Sequence, residues 1–96
     1  MYVVGPLRID VDGPYVFVED TEISMSATEM RLLVNLLVHR GRVRSPEALI
    51  EEVWGYTPRS GARVVRMFVK RVRDKLGRAG KLIKTVHGVG YRLDDD

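Results

Sequence analysis

Hydrophobic and polar residues alternate near the start of the chain. Leu7, Ile9 and Val11 are apolar, and the residues between them are charged. This period of two is typical of strands in a sheet with one face in water. Turn-forming and acidic residues separate four β-prone stretches, which predicts a small antiparallel meander. The stretches are Tyr2–Val4, Leu7–Val11, Tyr15–Val18 and Glu22–Met25.

The spacing of apolar residues changes to that of a helix after residue 25. Ser26 and Glu29 are the two ends of a capping box, in which each side chain can accept a hydrogen bond from an amide at a helix start. An apolar stripe then predicts a helix to about residue 40, with Gly41 ending it. Ser45, followed by proline and glutamate, starts a second helix that ends before Gly55. Residues 55–61 are expected to form a loop.

A third helix is predicted over residues 62–76, and its two faces differ chemically. At 100° per residue, one narrow stripe is apolar and predicts the side that packs on the core. The other residues include six lysines and arginines but one acid, Asp74, on a helix about 22 Å long. Asp74 cannot neutralise six charges, so an anionic ligand is the better explanation. The stripe is Val65, Val69, Val72 and Leu76, and the bases are Arg63, Arg66, Lys70, Arg71, Arg73 and Lys75.

Two β-prone segments, Leu82–Val86 and Tyr91–Leu93, follow the third helix. They enclose His87-Gly88-Val89-Gly90, and two glycines in four residues favour a hairpin. The glycine pattern is not a nucleotide fingerprint, because it lacks the third glycine and the following helix. We therefore predict a single α+β domain with an N-terminal four-stranded antiparallel sheet (1–25), a core of three helices (26–76) and a C-terminal β-hairpin (82–93).

Charge is distributed unevenly along the chain. The 96 residues suffice for one core and carry a net charge of +3. Residues 1–39 carry −4, residues 40–92 carry +10, and the last three aspartates carry −3. A basic block beside an acidic remainder indicates a polyanionic partner on one side of the fold. A solvated basic surface explains the charge alone equally well.

The residue types disfavour several classes of function. The chain has no cysteine and two histidines, so we expect neither a disulfide nor a metal cluster. No cofactor motif and no nucleophile–base set is recognisable, so no cofactor and no catalysis are expected. No apolar run approaches the roughly 20 residues of a membrane span, and no secretory leader opens the chain. We therefore expect a cytoplasmic, non-membrane location.

Three segments carry a more specific signal, and they are MSATEMRLLVNLLVHRGRVRSPEALIEEVWGY, RVVRMFVKRVRDKLG and TVHGVGYRL. They resemble, in this order, the first two helices, the recognition helix and the wing of the effector domains of OmpR/PhoB-type transcriptional regulators. The wing string together with Val53-Trp54-Gly55 is a specific signal. The resemblance implies a winged helix-turn-helix from a response regulator of a two-component system. It also implies sequence-specific binding of double-stranded DNA, with helix 62–76 in the major groove and wing 85–91 at the minor groove.

Matching by position implies which residues contact DNA. Arg71 is expected to read a base, and Met67 to meet a thymine methyl group. The family usually has an acid, a histidine and a wing arginine where this chain has Arg66, Phe68 and His87, and these departures bear on sequence preference. Arg66 is weighed against plain surface charge, His87 against a simple turn residue, and Phe68 is expected to pack on the core. The expected DNA-binding residues are Arg63, Arg66, Met67, Lys70, Arg71, Arg73, Thr85, His87, Gly88 and Tyr91.

The resemblance also implies partners other than DNA. The loop of residues 55–61 lies where family members can touch RNA polymerase, and its candidate contacts are Tyr56, Thr57 and Arg59. A head-to-tail homodimer on direct repeats is expected as well. The alternative is a winged-helix protein-interaction module that docks RNA polymerase or another regulator. The acids of the second helix are expected to be solvated, and they are Glu47, Glu51 and Glu52.

Overall fold

The computed structural model describes residues 1–95 and contains every predicted element in the predicted order. The strands are β1 Tyr2–Val4, β2 Leu7–Asp10, β3 Tyr15–Val18, β4 Thr21–Ile23, β5 Ile83–Val86 and β6 Gly90–Leu93. The helices are α1 Ala27–Val38, α2 Pro46–Leu49 and α3 Gly61–Leu76. A π-helical turn, Ile50–Trp54, continues α2, and a 3-10 turn, Gly77–Leu82, follows α3. The predicted fold class is confirmed.

The first four strands form an antiparallel meander in the order β1-β2-β3-β4. Leu7 pairs with Val18 and Ile9 with Val16, and all four side chains are buried, as the alternation predicts. The predicted bounds of β1 and β3 are those of the structure, whereas β2 ends one residue earlier than predicted, and β4 starts one residue and ends two residues earlier. β2 stops at Asp10 because its carboxylate accepts hydrogen bonds from the amides of Asp12 at 3.1 Å and Gly13 at 3.2 Å, which turns the chain.

The helices pack on the sheet and on each other around one core. The capping box of α1 is present: the Glu29 amide donates to Ser26 Oγ at 3.2 Å, and the Ser26 amide donates to Glu29 Oε1 at 2.8 Å. Ser45 caps α2 through the amide of Ala48 at 3.1 Å. The predicted apolar stripe of α3 is buried along its whole length. None of the helices within residues 1–95 is long and apolar enough to cross a bilayer.

The hairpin of β5 and β6 is attached to the helical part through Arg44. The Arg44 amide donates to the Tyr91 carbonyl at 2.7 Å, and the Tyr91 amide donates back at 2.9 Å. The two backbone segments approach so closely that a Cβ on Gly90 would lie 2.0 Å from the Arg44 carbonyl oxygen. Glycine is therefore required at position 90, and the hairpin has a fixed position relative to the loop before α2.

Glu52 was expected to be solvated, and its side chain is 43% exposed, but it also has partners that the sequence did not indicate. Its Oε1 accepts hydrogen bonds from Asn35 Nδ2 at 2.8 Å and from the Arg44 guanidinium at 2.5 Å. His39 Nε2 lies 3.5 Å from the same oxygen. The hydrogen bonds from Asn35 and Arg44 lower the pKa of Glu52. Glu52 thereby fixes the side chain of Arg44, and the main chain of Arg44 is hydrogen-bonded to the hairpin.

Candidate nucleic-acid interface

The solvent side of α3 is basic over its first eleven residues. Arg63, Arg66, Lys70 and Arg71 are exposed there and are called the basic face below. Met67 lies among them with 47% of its surface exposed. Within residues 1–95, none of the three arginines has a side-chain hydrogen bond or an acidic partner. The structure thus brings together five of the sequence-predicted site residues.

Lys70 is the member of the basic face that has an acidic neighbour. Its Nζ lies 3.0 Å from Asp74 Oδ2, one helical turn away. Both side chains are exposed, and exposed pairs of this kind contribute little to stability. Lys70 can therefore exchange the carboxylate for a phosphate at small cost.

Arg73 joins α3 to the hairpin. Its Nε donates to the Ile83 carbonyl at 2.9 Å, and its Nη2 donates to Thr85 Oγ1 at 2.6 Å. Its guanidinium also lies 6.0 Å from the centre of the Tyr91 ring. Because these bonds occupy part of the donor edge, Arg73 is first of all the residue that sets the angle between helix and hairpin. DNA contact by Arg73 stays a prediction.

Lys75 does not belong to the unpaired basic surface, contrary to the sequence-based expectation. Its Nζ donates to Glu29 Oε1 at 2.6 Å and to the Ser24 carbonyl at 3.1 Å. Glu29 is 3% exposed. Burial raises the pKa of Glu29, but the Lys75 and Ser26 hydrogen bonds outweigh burial and leave that pKa below its ordinary value. The end of α3 is thus fixed to the start of α1.

The hairpin presents a small exposed tip beside α3. His87 and Gly88 are exposed in the loop between the strands, and Gly88 has a φ of +77°, which favours glycine. Thr85 is exposed on β5, whereas Tyr91 is 8% exposed and packs beneath Arg73. Val89 was not among the expected DNA-binding residues, yet it is 54% exposed at the tip. Residues of α2, α3 and the hairpin line a cleft between them, among them Glu47, Arg66 and His87.

Phe68 lies between the core and the basic face. Its ring meets Trp54 edge-on, with ring centres 5.3 Å apart and planes at 85°. On its other side, the Arg71 guanidinium carbon lies 5.0 Å from the ring centre. Phe68 packs against the core as expected, but its contact with Arg71 was not foreseen. The spacing of three residues on one helix was the available signal.

The loop between α2 and α3 is exposed at all three predicted contact residues. Tyr56 has 66% of its surface exposed, and Thr57 and Arg59 are exposed as well. Among the described residues, no group of three or more potential ligands could hold a metal ion.

Comparisons with known proteins identify the family. A family model described as "Transcriptional regulatory protein, C terminal" matches residues 20–93. The transcriptional regulatory protein CseB of Streptomyces coelicolor is 39% identical over 89 residues, which are 93% of this chain and 37% of CseB. The response regulator ArlR of Staphylococcus haemolyticus is 36% identical over 90 residues, which are 92% and 41% of the two chains. The chain thus spans about two fifths of the length of these relatives.

Solved structures agree with the sequence comparisons. The DNA-binding domain of Klebsiella pneumoniae RstA, solved in complex with RstA box, superposes with a TM-score of 0.88 at 28% identity, covering 99% of this chain and 97% of that one. The OmpR/PhoB homologue DrrB of Thermotoga maritima superposes with a TM-score of 0.87 at 32% identity, covering 97% of this chain and 43% of DrrB. The chain therefore belongs to the family of C-terminal domains of OmpR/PhoB-type transcriptional regulatory proteins.

Proposed function

We propose that this domain binds double-stranded DNA with sequence preference, as the effector domain of a two-component response regulator. The basic face enters the major groove, and the hairpin tip lies at the adjacent minor groove. The observation that carries the proposal is the set of three exposed arginines that have no hydrogen-bonding or acidic partner among residues 1–95, on a helix joined to the hairpin by Arg73. The RstA domain, solved in complex with RstA box, supports the proposal by its similarity.

The chemistry of the basic face suits a groove. The major groove is about 12 Å wide and admits an α-helix. Lysine and arginine contacts to phosphates supply affinity that falls with salt, and contacts to base edges supply discrimination. Arg63, Arg66 and Lys70 are assigned to phosphates or nearby base edges, and Arg71 to a guanine, because its planar fork matches the guanine O6 and N7 atoms. Met67 offers the apolar surface that a thymine methyl group requires.

The hairpin residues are assigned to the other side of the site. Thr85 and the Gly88 main chain are placed beside the phosphate backbone, where their polar groups can donate hydrogen bonds. His87 is placed in the narrow, electronegative minor groove. The buried Tyr91 is assigned mainly to supporting Arg73, which is itself placed near the backbone.

The test measures duplex binding as a function of salt for three variants. A preferred duplex is first selected from random sequences with the wild-type domain. Lys70→Ala should weaken binding to every duplex alike and reduce the slope of log affinity against log salt by about 0.9. Arg71→Ala should blur discrimination at one base pair, by about 1–3 kcal/mol. Arg78→Ala is the control of equal charge change, because Arg78 pairs with Glu19 of the N-terminal sheet at 3.1 Å.

The control variant should behave as the wild type does. Arg78→Ala should leave unchanged both the slope of log affinity against log salt and the preference among duplex sequences. If Lys70→Ala and Arg71→Ala bind every duplex as the wild type does, α3 is not the DNA-binding helix. If the wild type selects no motif, the domain is the alternative protein-interaction module.

The loop of residues 55–61 is proposed to contact RNA polymerase. Tyr56 supports this assignment, since an aromatic side chain that is 66% exposed is available to a protein partner. The double variant Tyr56→Ala/Arg59→Ala should bind the selected duplex normally but bind purified RNA polymerase more weakly than the wild type does. Unchanged polymerase binding by the variant would contradict the assignment.

A head-to-tail pair on direct repeats is also proposed. The charge distribution supports it, because residues 1–39 carry −4 and residues 40–92 carry +10, so unlike regions of two copies attract. A duplex with two repeats should bind two copies cooperatively at low salt. Independent filling of the two repeats would contradict this arrangement.

A further inference from the structure

Two arginines of α3, Arg71 and Arg73, have side-chain contacts, and these contacts differ in kind. Arg73 is fixed through its N–H edge, by hydrogen bonds to the Ile83 carbonyl and to Thr85. Arg71 instead has its guanidinium carbon 5.0 Å from the centre of the Phe68 ring, and its N–H groups have no partner among residues 1–95. A guanidinium that contacts a ring keeps its donors available, because they lie in the guanidinium plane.

Phe68 is itself fixed. Its ring is half-buried, packs against the core and meets Trp54 edge-on at 5.3 Å. Trp54 is half-buried at the end of the π-helical turn and also packs on the core. Packing on the core therefore fixes Trp54, the contact with Trp54 fixes Phe68, and the Phe68 ring contacts the Arg71 guanidinium.

We propose that Phe68 is a positioning residue for base reading: its ring restricts the Arg71 guanidinium so that the free N–H edge meets O6 and N7 of a guanine. This inference rests on the proposed DNA binding and identifies Phe68 as the residue that positions the base-reading Arg71. An exposed arginine loses much rotamer freedom when it binds, and a side chain already restricted loses less. The exposed cation–π contact is weak enough to let the guanidinium adjust to the base.

The experiment measures the ratio of dissociation constants for the selected duplex and a duplex changed at the Arg71-dependent base pair. The variants are Phe68→Leu, Phe68→Tyr, Arg71→Ala and Phe68→Leu/Arg71→Ala. Phe68→Leu keeps an apolar side chain against Trp54 but removes the ring face, so discrimination should fall about two- to fivefold. Phe68→Tyr keeps the ring and should discriminate as the wild type does. Affinity for an unrelated duplex should stay unchanged in both single Phe68 variants.

The double variant separates positioning from packing. With Arg71 absent, Phe68→Leu should have no further effect on discrimination, because the group that it positions is missing. Equal losses with and without Arg71, or equal weakening on all duplexes, would assign Phe68 to packing alone and overturn the inference. Wild-type discrimination by Phe68→Leu would also overturn it, while leaving the proposed DNA binding intact. If the wild-type domain binds no duplex, the proposed function itself fails.

Discussion

The ion pair between Lys75 and Glu29 offers a quantitative test of how α3 is held. Glu29 is 3% exposed and lies 2.6 Å from Lys75 Nζ, whereas the Lys75 side chain is 40% exposed. In Glu29→Gln, the amide oxygen can still accept the Ser26 amide bond, but the charge partner of Lys75 is lost. A hydrogen bond between charged groups contributes about 1.5–3 kcal/mol, and the exposure of Lys75 favours the lower half of that range. Lys75→Met should cost more, about 3 kcal/mol, since it leaves a buried carboxylate without its cation.

The free energy of unfolding, measured by urea denaturation at pH 7, tests these values. A loss of about 2 kcal/mol should lower the midpoint at unchanged m-value and lower Tm by roughly 8–16 °C. Glu22→Gln is the matched control, because Glu22 is exposed on β4 and its substitution should change stability by less than about 0.5 kcal/mol.

The stabilisation by Glu29 should also depend on pH. The folded protein lowers the pKa of Glu29 below 4.5, so the carboxylate stabilises the fold above that pH and ceases to do so as the pH falls through the folded-state pKa. The difference in unfolding free energy between wild type and Glu29→Gln should therefore shrink in acid. If Glu29→Gln and Lys75→Met each changed stability by less than about 0.5 kcal/mol at pH 7, the ion pair would not hold α3, and the reasoning would be refuted.

Two further predictions concern the hairpin. Arg73→Lys keeps the charge but cannot make both bonds of the guanidinium, so amide exchange at Thr85 and its neighbours should quicken. Gly90→Ala places a Cβ 2.0 Å from the Arg44 carbonyl oxygen and should destabilise the domain by about 2 kcal/mol, as seen in its urea midpoint.

Each of these predictions has an outcome that would contradict it. Unchanged exchange at β5 in Arg73→Lys would show that the two hydrogen bonds do not hold the hairpin. Wild-type stability of Gly90→Ala would show that the strand pairing at Arg44 tolerates a side chain.

Local sequence patterns predicted most of the fold. The Ser26–Glu29 capping box spans three residues, so its geometry follows from the sequence alone. The apolar stripe of α3 repeats at helical spacing, and all four of its residues are buried. The glycines of the hairpin marked the loop between β5 and β6. Each of these features depends on residues that are close to one another in the sequence.

The partners of Glu29 and Glu52 that were not predicted include residues that are distant in sequence. The Glu29 carboxylate accepts a hydrogen bond from the Ser26 amide at the start of its own helix. It also accepts one from Lys75, 46 residues later, which no local pattern indicates. Glu52 meets Asn35 across 17 residues, so its place on an exposed helix did not predict its partners. The sequence showed six basic residues on α3, whereas only the fold separates the basic face from Arg73 and Lys75.

The most direct measurement is the affinity of the intact domain for duplex DNA as a function of salt. If Arg63, Arg66 and Lys70 contact phosphates while Arg71 reads a guanine, log affinity should fall with log salt with a slope of about −2.7, and hairpin contacts should make it steeper. Removal of Lys70 should bring the slope about 0.9 closer to zero. Absence of binding at low ionic strength, or a slope near zero, would contradict the assignment of α3 to the groove.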